Sequence, residues 1–171
     1  MHKESSKEIA DLVSYCPETG VFRWKIKPRR ALHAGAIAGG VKSSGYYFIT
    51  YRRTKYSAHR VAWLIMTGDW PPDQIDHINR DPLDNRWTNL RAATARQNHA
   101  NRASVNRFGK GVFACRNGSG KFAARIYRAG KLRQIGTFPT VELAGQAYHA
   151  EAVRIHGEFA LGAEKVGTQC F

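Results

Sequence analysis

The chain has 171 residues, of which 43% are hydrophobic, and a formal net charge of +14. Its length allows one ordinary domain or two small ones, and its hydrophobic content excludes wholesale disorder. Basic side chains in such excess repel one another unless an anionic partner binds them. The net charge therefore indicates that the chain binds nucleic acid or an acidic membrane surface. Between Asp84 and Glu142 there is no acidic residue, while basic residues recur throughout that stretch. This distribution favours nucleic acid as the partner.

The sequence has no feature typical of a secreted or membrane protein. Residues 1–5 lack the apolar core of a signal peptide, and the longest apolar run, residues 61–66, is too short to span a bilayer. Cys16, Cys115 and Cys170 are far apart and form no Cys-x-x-Cys pair, so neither a disulfide framework nor a cysteine-built zinc site is expected. We therefore predict a soluble, cytoplasmic protein with no membrane partner.

The first region, residues 1–72, is predicted to consist mostly of β-strands. Residues 21–24 follow a turn and alternate apolar with basic side chains, as a half-buried strand does. Residues 46–51 are rich in aromatic and β-branched residues, which favour strands. They lead to a basic hairpin tip at Arg52 and Arg53, and we predict that this tip contacts DNA.

The second region, residues 73–103, has the pattern strand, loop, strand, helix. The apolar–polar–polar–apolar run at 75–78 predicts the first strand, and turn-forming residues fill the loop at 79–85. Thr94 followed three residues later by Gln97 is a capping box, which predicts that a helix begins there. Side chains able to approach a phosphate therefore cluster on a compact ββα unit, with Asp76 and His77 on the first strand and Asn98 in the first turns of the helix.

This cluster resembles the HNH (His-Me finger) endonucleases of phages and their introns, and homing-type members in particular. The motifs that carry the resemblance are residues 76–79, 82–86, 89–91 and 94–98. The resemblance implies that Asp76 and Asn98 bind one divalent metal ion, Mg²⁺ or Mn²⁺, with no small-molecule cofactor. It implies His77 as the general base and Asn89 as a brace that holds the loop by hydrogen bonds. It also implies the host-cell cytoplasm as the location if the protein is phage-encoded.

Which helix residue binds the metal stays open. The third letter of the name HNH stands for a histidine, whereas this chain has Asn98 at that position and His99 directly after it. Successive helical residues point about 100° apart, so only one of the two can face the metal. The chemistry itself is consistent with the set. A neutral imidazole with a pKa of about 6.5 can take a proton from water. A hard cation prefers oxygen ligands such as a carboxylate and an amide.

The third region, residues 111–160, follows a predicted flexible linker at 104–110 and precedes a tail at 161–171. It resembles the Apetala/ethylene-response-factor DNA-binding domain. The motifs that carry this resemblance are residues 111–113, 120–126, 136–138, 144–148 and 156–158. The resemblance implies a three-stranded antiparallel sheet packed on one helix, with the sheet entering the major groove of DNA.

Strand alternation assigns the DNA-facing side of this predicted sheet. The predicted base or phosphate contacts are Arg116, Arg125, Tyr127 and Gln134, surrounded by Lys121, Arg128, Lys131 and Arg133. The predicted fold class is α+β, the substrate is double-stranded DNA, and a monomer is expected, with a dimer as the alternative. Two other functions stay open: a non-catalytic DNA-binding regulator and an RNA-binding protein.

Overall fold

The structure is a computed structural model that describes residues 7–27 and 33–162. Residues 1–5, Cys170 and most of the predicted tail at 161–171 lie outside the described residues. The chain divides into two compact units, Met1–Ala95 and Arg96–Phe171, and the division falls ahead of the predicted linker at 104–110. None of the helices in the described ranges has the length and apolar character needed to cross a bilayer.

Within residues 7–27 and 33–95, the first unit contains two helices and three small antiparallel sheets. Its sheets pair β1 with β2, β3 with β4 and β5, and β6 with β7. A short 3₁₀ turn at Trp87–Asn89 precedes the last strand. In chain order the elements are α1 (Glu8–Leu12), β1 (Val13–Cys16), β2 (Val21–Trp24), β3 (Gly40–Val41), β4 (Tyr47–Tyr51), β5 (Thr54–Ser57), α2 (Ala58–Thr67), β6 (Gln74–His77) and β7 (Leu90–Ala93).

The core of the first unit packs around α2. Val61 and Leu64 are three residues apart, share one face of the helix and are fully or almost fully buried. Gly68 ends the helix in the left-handed conformation at φ 83°, and its N–H donates to the carbonyl of Leu64. Ile75 in β6 and Leu90 in β7 belong to the same buried cluster. The core therefore anchors the β6–β7 hairpin through one apolar residue on each strand.

The hairpin between β4 and β5 has a two-residue tip, because Tyr51 pairs with Thr54. Arg52 and Arg53 at the tip have φ values of 45° and 67°, the left-handed conformations that such tight turns require. Both arginines are exposed, and Arg52 lies 3.5 Å from a carboxylate oxygen of Glu8. Glu8 thus partly neutralises the charge of Arg52, one of the two arginines at the predicted basic tip.

The second unit contains α3 (Ala95–Asn101), whose first residue lies in the first unit, then β8 (Val112–Ala114), β9 (Phe122–Arg128), β10 (Lys131–Phe138) and α4 (Val141–His156). The three strands form one antiparallel sheet in the order β10-β9-β8. Buried Ala124 and Ile126 face α4, where Ala144 and Ala152 cover them. Small alanine side chains let this helix lie close to the sheet.

The predicted linker is hydrogen bonded to the second unit. The Lys110 ammonium donates to three carbonyl oxygens at the C-terminal end of α3, at 2.7 to 2.8 Å. Carbonyls at this end of a helix have no partner within the helix, so a lysine satisfies them well. The Asn106 side chain donates to the carbonyl of Val112 at 2.6 Å. These bonds connect residues 104–110 to both α3 and the sheet.

Candidate active site and nucleic-acid surface

Asp76 is paired with an arginine across the β6–β7 ladder. The register places Asp76 opposite Arg91, so the two side chains share one face of the hairpin. The Arg91 Nε and Nη2 atoms donate to Asp76 Oδ2 at 2.9 and 2.8 Å. The Asp76 side chain is only 4% exposed and that of Arg91 12%. The facing guanidinium offsets the cost of burying this carboxylate charge.

His77 follows in the same strand, and its side chain therefore leaves the opposite face. It is 7% exposed, and its Nε2 atom lies 3.4 Å from Asn85 Oδ1. The His59 ring meets it edge-on, with 5.1 Å between ring centroids. Burial lowers the pKa of His77, and the Asn85 hydrogen bond and nearby carboxylates such as Asp76 only partly oppose this. The lowered pKa favours the neutral imidazole that a general base requires.

Asn89 hydrogen bonds across the loop that joins β6 to β7. Its Oδ1 accepts from the Asn79 N–H at 2.9 Å. Its Nδ2 donates to the Asn79 side-chain oxygen at 2.9 Å and to the Asp84 carbonyl at 2.8 Å. Asn89 is 7% exposed, so these bonds are shielded from water. One side chain thus ties together both ends of the loop, while its part in catalysis stays a prediction.

The structure brings residues to His77 that sequence reasoning missed. Asn85 accepts from its ring, His59 packs against it, and the exposed Tyr46 ring lies 6.4 Å away, centroid to centroid. Arg91, the partner of Asp76, was likewise not singled out. Asn85 and Arg91 both lie within the motifs quoted above. Aligning the two strands of the predicted hairpin would have placed Arg91 opposite Asp76. His59 and Tyr46 come from distant elements and carry no local signal.

The predicted metal ligands lie in different units, Asp76 in the first and Asn98 with His99 in the second. Asn98 is half-buried on α3, whereas His99 is exposed. Within residues 7–27 and 33–162, no three His, Cys, Asp or Glu side chains group so as to hold a metal ion. The donor chemistry nevertheless fits Mg²⁺, because this ion keeps several water ligands and needs only one or two carboxylates. The ligand roles stay predictions.

Comparison with known proteins identifies the region that holds these residues. Residues 56–100 match the family model described as HNH endonuclease. This stretch is therefore similar to HNH endonucleases. An uncharacterized HNH endonuclease of Acanthamoeba polyphaga mimivirus is 35% identical over 117 residues, which cover 67% of this chain. The chain spans 60% of that relative's length. No solved structure matches the chain.

Lowering the pH is expected to destabilise the first unit, which contains most of the stretch that matches HNH endonucleases. Burial, reinforced by His77 and Arg60, lowers the pKa of His59 to about 3. Below a pH of about 6.5 the unfolded chain binds a proton at His59 that the folded chain does not bind until about 3. Stability therefore falls through this window, by at most about 1.4 kcal/mol per pH unit from this group.

Urea unfolding at several pH values measures this effect, and His59→Phe is the comparison variant. All four tryptophans of the chain lie in the first unit, so tryptophan fluorescence reports on that unit. The variant is expected to lose less stability than the wild type as the pH falls below about 6.5. Equal slopes in the two proteins would show that His59 is not the group responsible.

The second unit has one open sheet face, which lies opposite α4. The register pairs Arg125 with Gln134 and Tyr127 with Leu132, so these four side chains point to the same side. Tyr127 is 64% exposed and Leu132 50%. The Arg125 guanidinium lies over the Phe113 ring at 5.6 Å. The open face thus combines a cation with aromatic surface, as nucleic-acid-binding sheets do.

The other predicted DNA contacts lie elsewhere on the unit. By strand alternation Arg128, Lys131 and Arg133 point to the side of the sheet that carries α4, although all three are exposed. Arg116 and Lys121 are exposed in the connection between β8 and β9. The open face itself therefore contains Arg125, Tyr127 and Gln134 of the predicted set.

Proposed function

We propose that the chain is a metal-dependent HNH endonuclease that hydrolyses phosphodiester bonds in double-stranded DNA. The observation that carries this proposal is the buried imidazole of His77, a residue that is held by Asn85 and directly follows Asp76 in the strand. This pair lies at the end of a strand whose following loop is closed by Asn89. The same residues fall inside the stretch that matches the HNH endonuclease family.

In the proposed reaction His77 takes a proton from a water molecule. The water oxygen attacks the phosphorus, and the P–O bond to one sugar oxygen breaks. That oxygen leaves with the bonding electrons and takes a proton from solvent water, while the proton of the attacking water remains on the imidazole until solvent removes it. Asp76 and Asn98 would hold a Mg²⁺ or Mn²⁺ ion, which when bound stabilises the extra negative charge on the phosphate. Asn89 keeps the loop closed, and so it maintains the relative positions of β6 and β7.

We further propose that residues 111–160 form a DNA-binding domain that presents the open sheet face to the duplex. The support is the three-stranded sheet packed on one helix, the half-buried Arg125 and the exposed Tyr127 on its open face, and the excess of basic residues. Joining a DNA-binding domain to a nuclease raises the local concentration of DNA at the active site. The homing role and the phage origin rest on the resemblance alone and stay predictions.

Conversion of supercoiled plasmid to nicked or linear DNA tests the proposed activity. The full chain is expected to cleave with Mg²⁺ or Mn²⁺ and to stop when EDTA removes the ion, because the carboxylate–amide donor set suits hard cations. The protein without added metal is the control. Tight binding of duplex DNA with no cleavage under any of these conditions would support the regulator instead. Preference for single-stranded RNA would support the RNA-binding alternative.

Replacing Arg125 with alanine is expected to weaken duplex binding. It is also expected to reduce the slope of log affinity against log salt concentration by about 1, which corresponds to about one counterion fewer released on binding. Arg125 is on the open face, where it is free of acidic partners in the β9–β10 register. Arg154→Ala is the matched control, because Arg154 on α4 already pairs with Glu151 at 2.6 Å. Filter binding over a series of salt concentrations measures both variants. Equal losses from the two would argue against a role for the open face.

A further inference from the structure

Asn85 is buried beside His77 and held at three points. It is 2% exposed. Its Oδ1 lies 3.4 Å from His77 Nε2, its Nδ2 donates to the Leu83 carbonyl at 3.2 Å, and its own carbonyl accepts from the Tyr15 hydroxyl at 2.7 Å. The side chain and the backbone of Asn85 are therefore both fixed, and so is the direction in which the amide oxygen points.

This geometry determines which nitrogen of His77 carries the proton. An amide oxygen can only accept a hydrogen bond. The opposite orientation of the Asn85 amide would put its oxygen against the Leu83 carbonyl, where no proton lies between them. The contact with Oδ1 therefore requires a proton on His77 Nε2, and in the neutral ring the lone pair is then on Nδ1.

We propose that Asn85 is a positioning residue that holds His77 in the Nε2–H tautomer, so that Nδ1 receives the proton from the attacking water. The role of Nδ1 as the proton acceptor rests on the proposed nuclease function. The Nε2–H tautomer is a property of the folded protein and does not depend on activity.

Packing alone does not account for this selection. The edge-on contact with His59, at 5.1 Å between centroids, restricts the plane of the His77 ring. A ring contact of this kind does not distinguish a protonated nitrogen from an unprotonated one. A hydrogen bond does, because a mismatched tautomer would place two acceptors against each other in a buried site. Asn85 thus links the loop between β6 and β7 to the position of the proton on His77.

Nitrogen NMR of isotope-labelled histidine tests the tautomer directly, near neutral pH and without metal or DNA. The His77 signals are identified by their loss in His77→Gln. The wild type is expected to show one Nε2–H form. Asn85→Leu, which has a similar volume but no acceptor, is expected to show a substantial Nδ1–H population. Asn85→Asp, which keeps the acceptor oxygen, is expected to retain Nε2–H.

Tyr15→Phe is the matched control, because it removes the hydrogen bond to the Asn85 carbonyl and leaves the Asn85 side chain in place. It is expected to keep the wild-type tautomer. A wild type with the proton on Nδ1, or an Asn85→Leu variant with an unchanged tautomer, would overturn the proposal. Should Asn85→Leu fail to fold, a wild type with the proton on Nδ1 would still overturn the proposal.

Steady-state cleavage separates this proposal from the proposed function. Asn85→Leu is expected to lose about 100-fold in kcat with little change in KM, and Asn85→Asp to recover part of that loss. A wild type that does not cleave DNA but shows the expected tautomers contradicts only the nuclease function. An active wild type whose Asn85→Leu variant keeps both its tautomer and its kcat contradicts only the role of Asn85.

Discussion

Replacing His77 with alanine is expected to lower the rate of DNA cleavage about 100- to 10,000-fold, the contribution typical of a general base. The structure supports this size of effect because His77 is 7% exposed and burial lowers the pKa of its imidazole. The neutral form that accepts a proton then predominates at neutral pH. DNA binding is expected to persist, since the substitution removes no positive charge from the exposed surface.

Nicking of supercoiled plasmid under single-turnover conditions measures the effect of His77→Ala. His149→Ala is the control, because His149 is an exposed residue on α4 of the second unit. It changes the same residue type outside residues 56–100, the stretch that matches the HNH endonuclease family. Cleavage by His77→Ala at the wild-type rate would contradict the assignment of the base.

Replacing Arg91 with methionine is expected to destabilise the first unit by about 3 to 5 kcal/mol, the cost of breaking a buried ion pair from one side. The Asp76 side chain is 4% exposed and would lose the guanidinium that donates to its Oδ2. Arg86→Met provides a matched control with the same chemistry. Arg86 pairs with Asp84 at 2.6 Å, but its side chain is 53% exposed, so the expected loss is much smaller than that from Arg91→Met.

Urea unfolding followed by tryptophan fluorescence compares the two arginine variants, because all the tryptophans lie in the first unit. A double variant with Asp76→Leu and Arg91→Met is expected to recover much of the loss, since it leaves no unpaired buried charge. Similar small losses from Arg91→Met and Arg86→Met would show that the buried pair is not a determinant of stability. Failure of the double variant to recover would point to packing of the arginine stem instead.

Local chemistry explains which elements were predictable. Residues 21–24 form β2 as predicted, because alternation and a preceding turn are both contained in the segment itself. Helix α3 begins at Ala95, directly after the predicted cap at Thr94. β6 ends at His77 instead of Ile78, although the Ile78 N–H still donates to the Asn89 carbonyl in the same register. A difference of one residue is usual at the end of an element.

Other elements escaped prediction because their formation depends on partners. α1 has five residues, too few to show a periodic pattern. β3 has only two residues and exists because it pairs with β4. Likewise, Arg128, Lys131 and Arg133 could be placed on the α4 side of the sheet only from the β9–β10 register, which includes an irregularity between Gln134 and Gly136. An irregularity of this kind breaks the simple alternation on which face assignments depend.

The sequence by itself determined the basic character of the chain and the strand–loop–strand pattern. These follow from composition and turn chemistry, which are local properties, whereas Asp76, His77, Asn89 and Asn98 were predicted as one set from the resemblance to HNH endonucleases. The tertiary structure alone decided that Arg91 neutralises Asp76 and that Asn85 and His59 contact His77. Burial and pairing decide the charge state and the proton position of a side chain, and they depend on strands and helices that are distant in sequence.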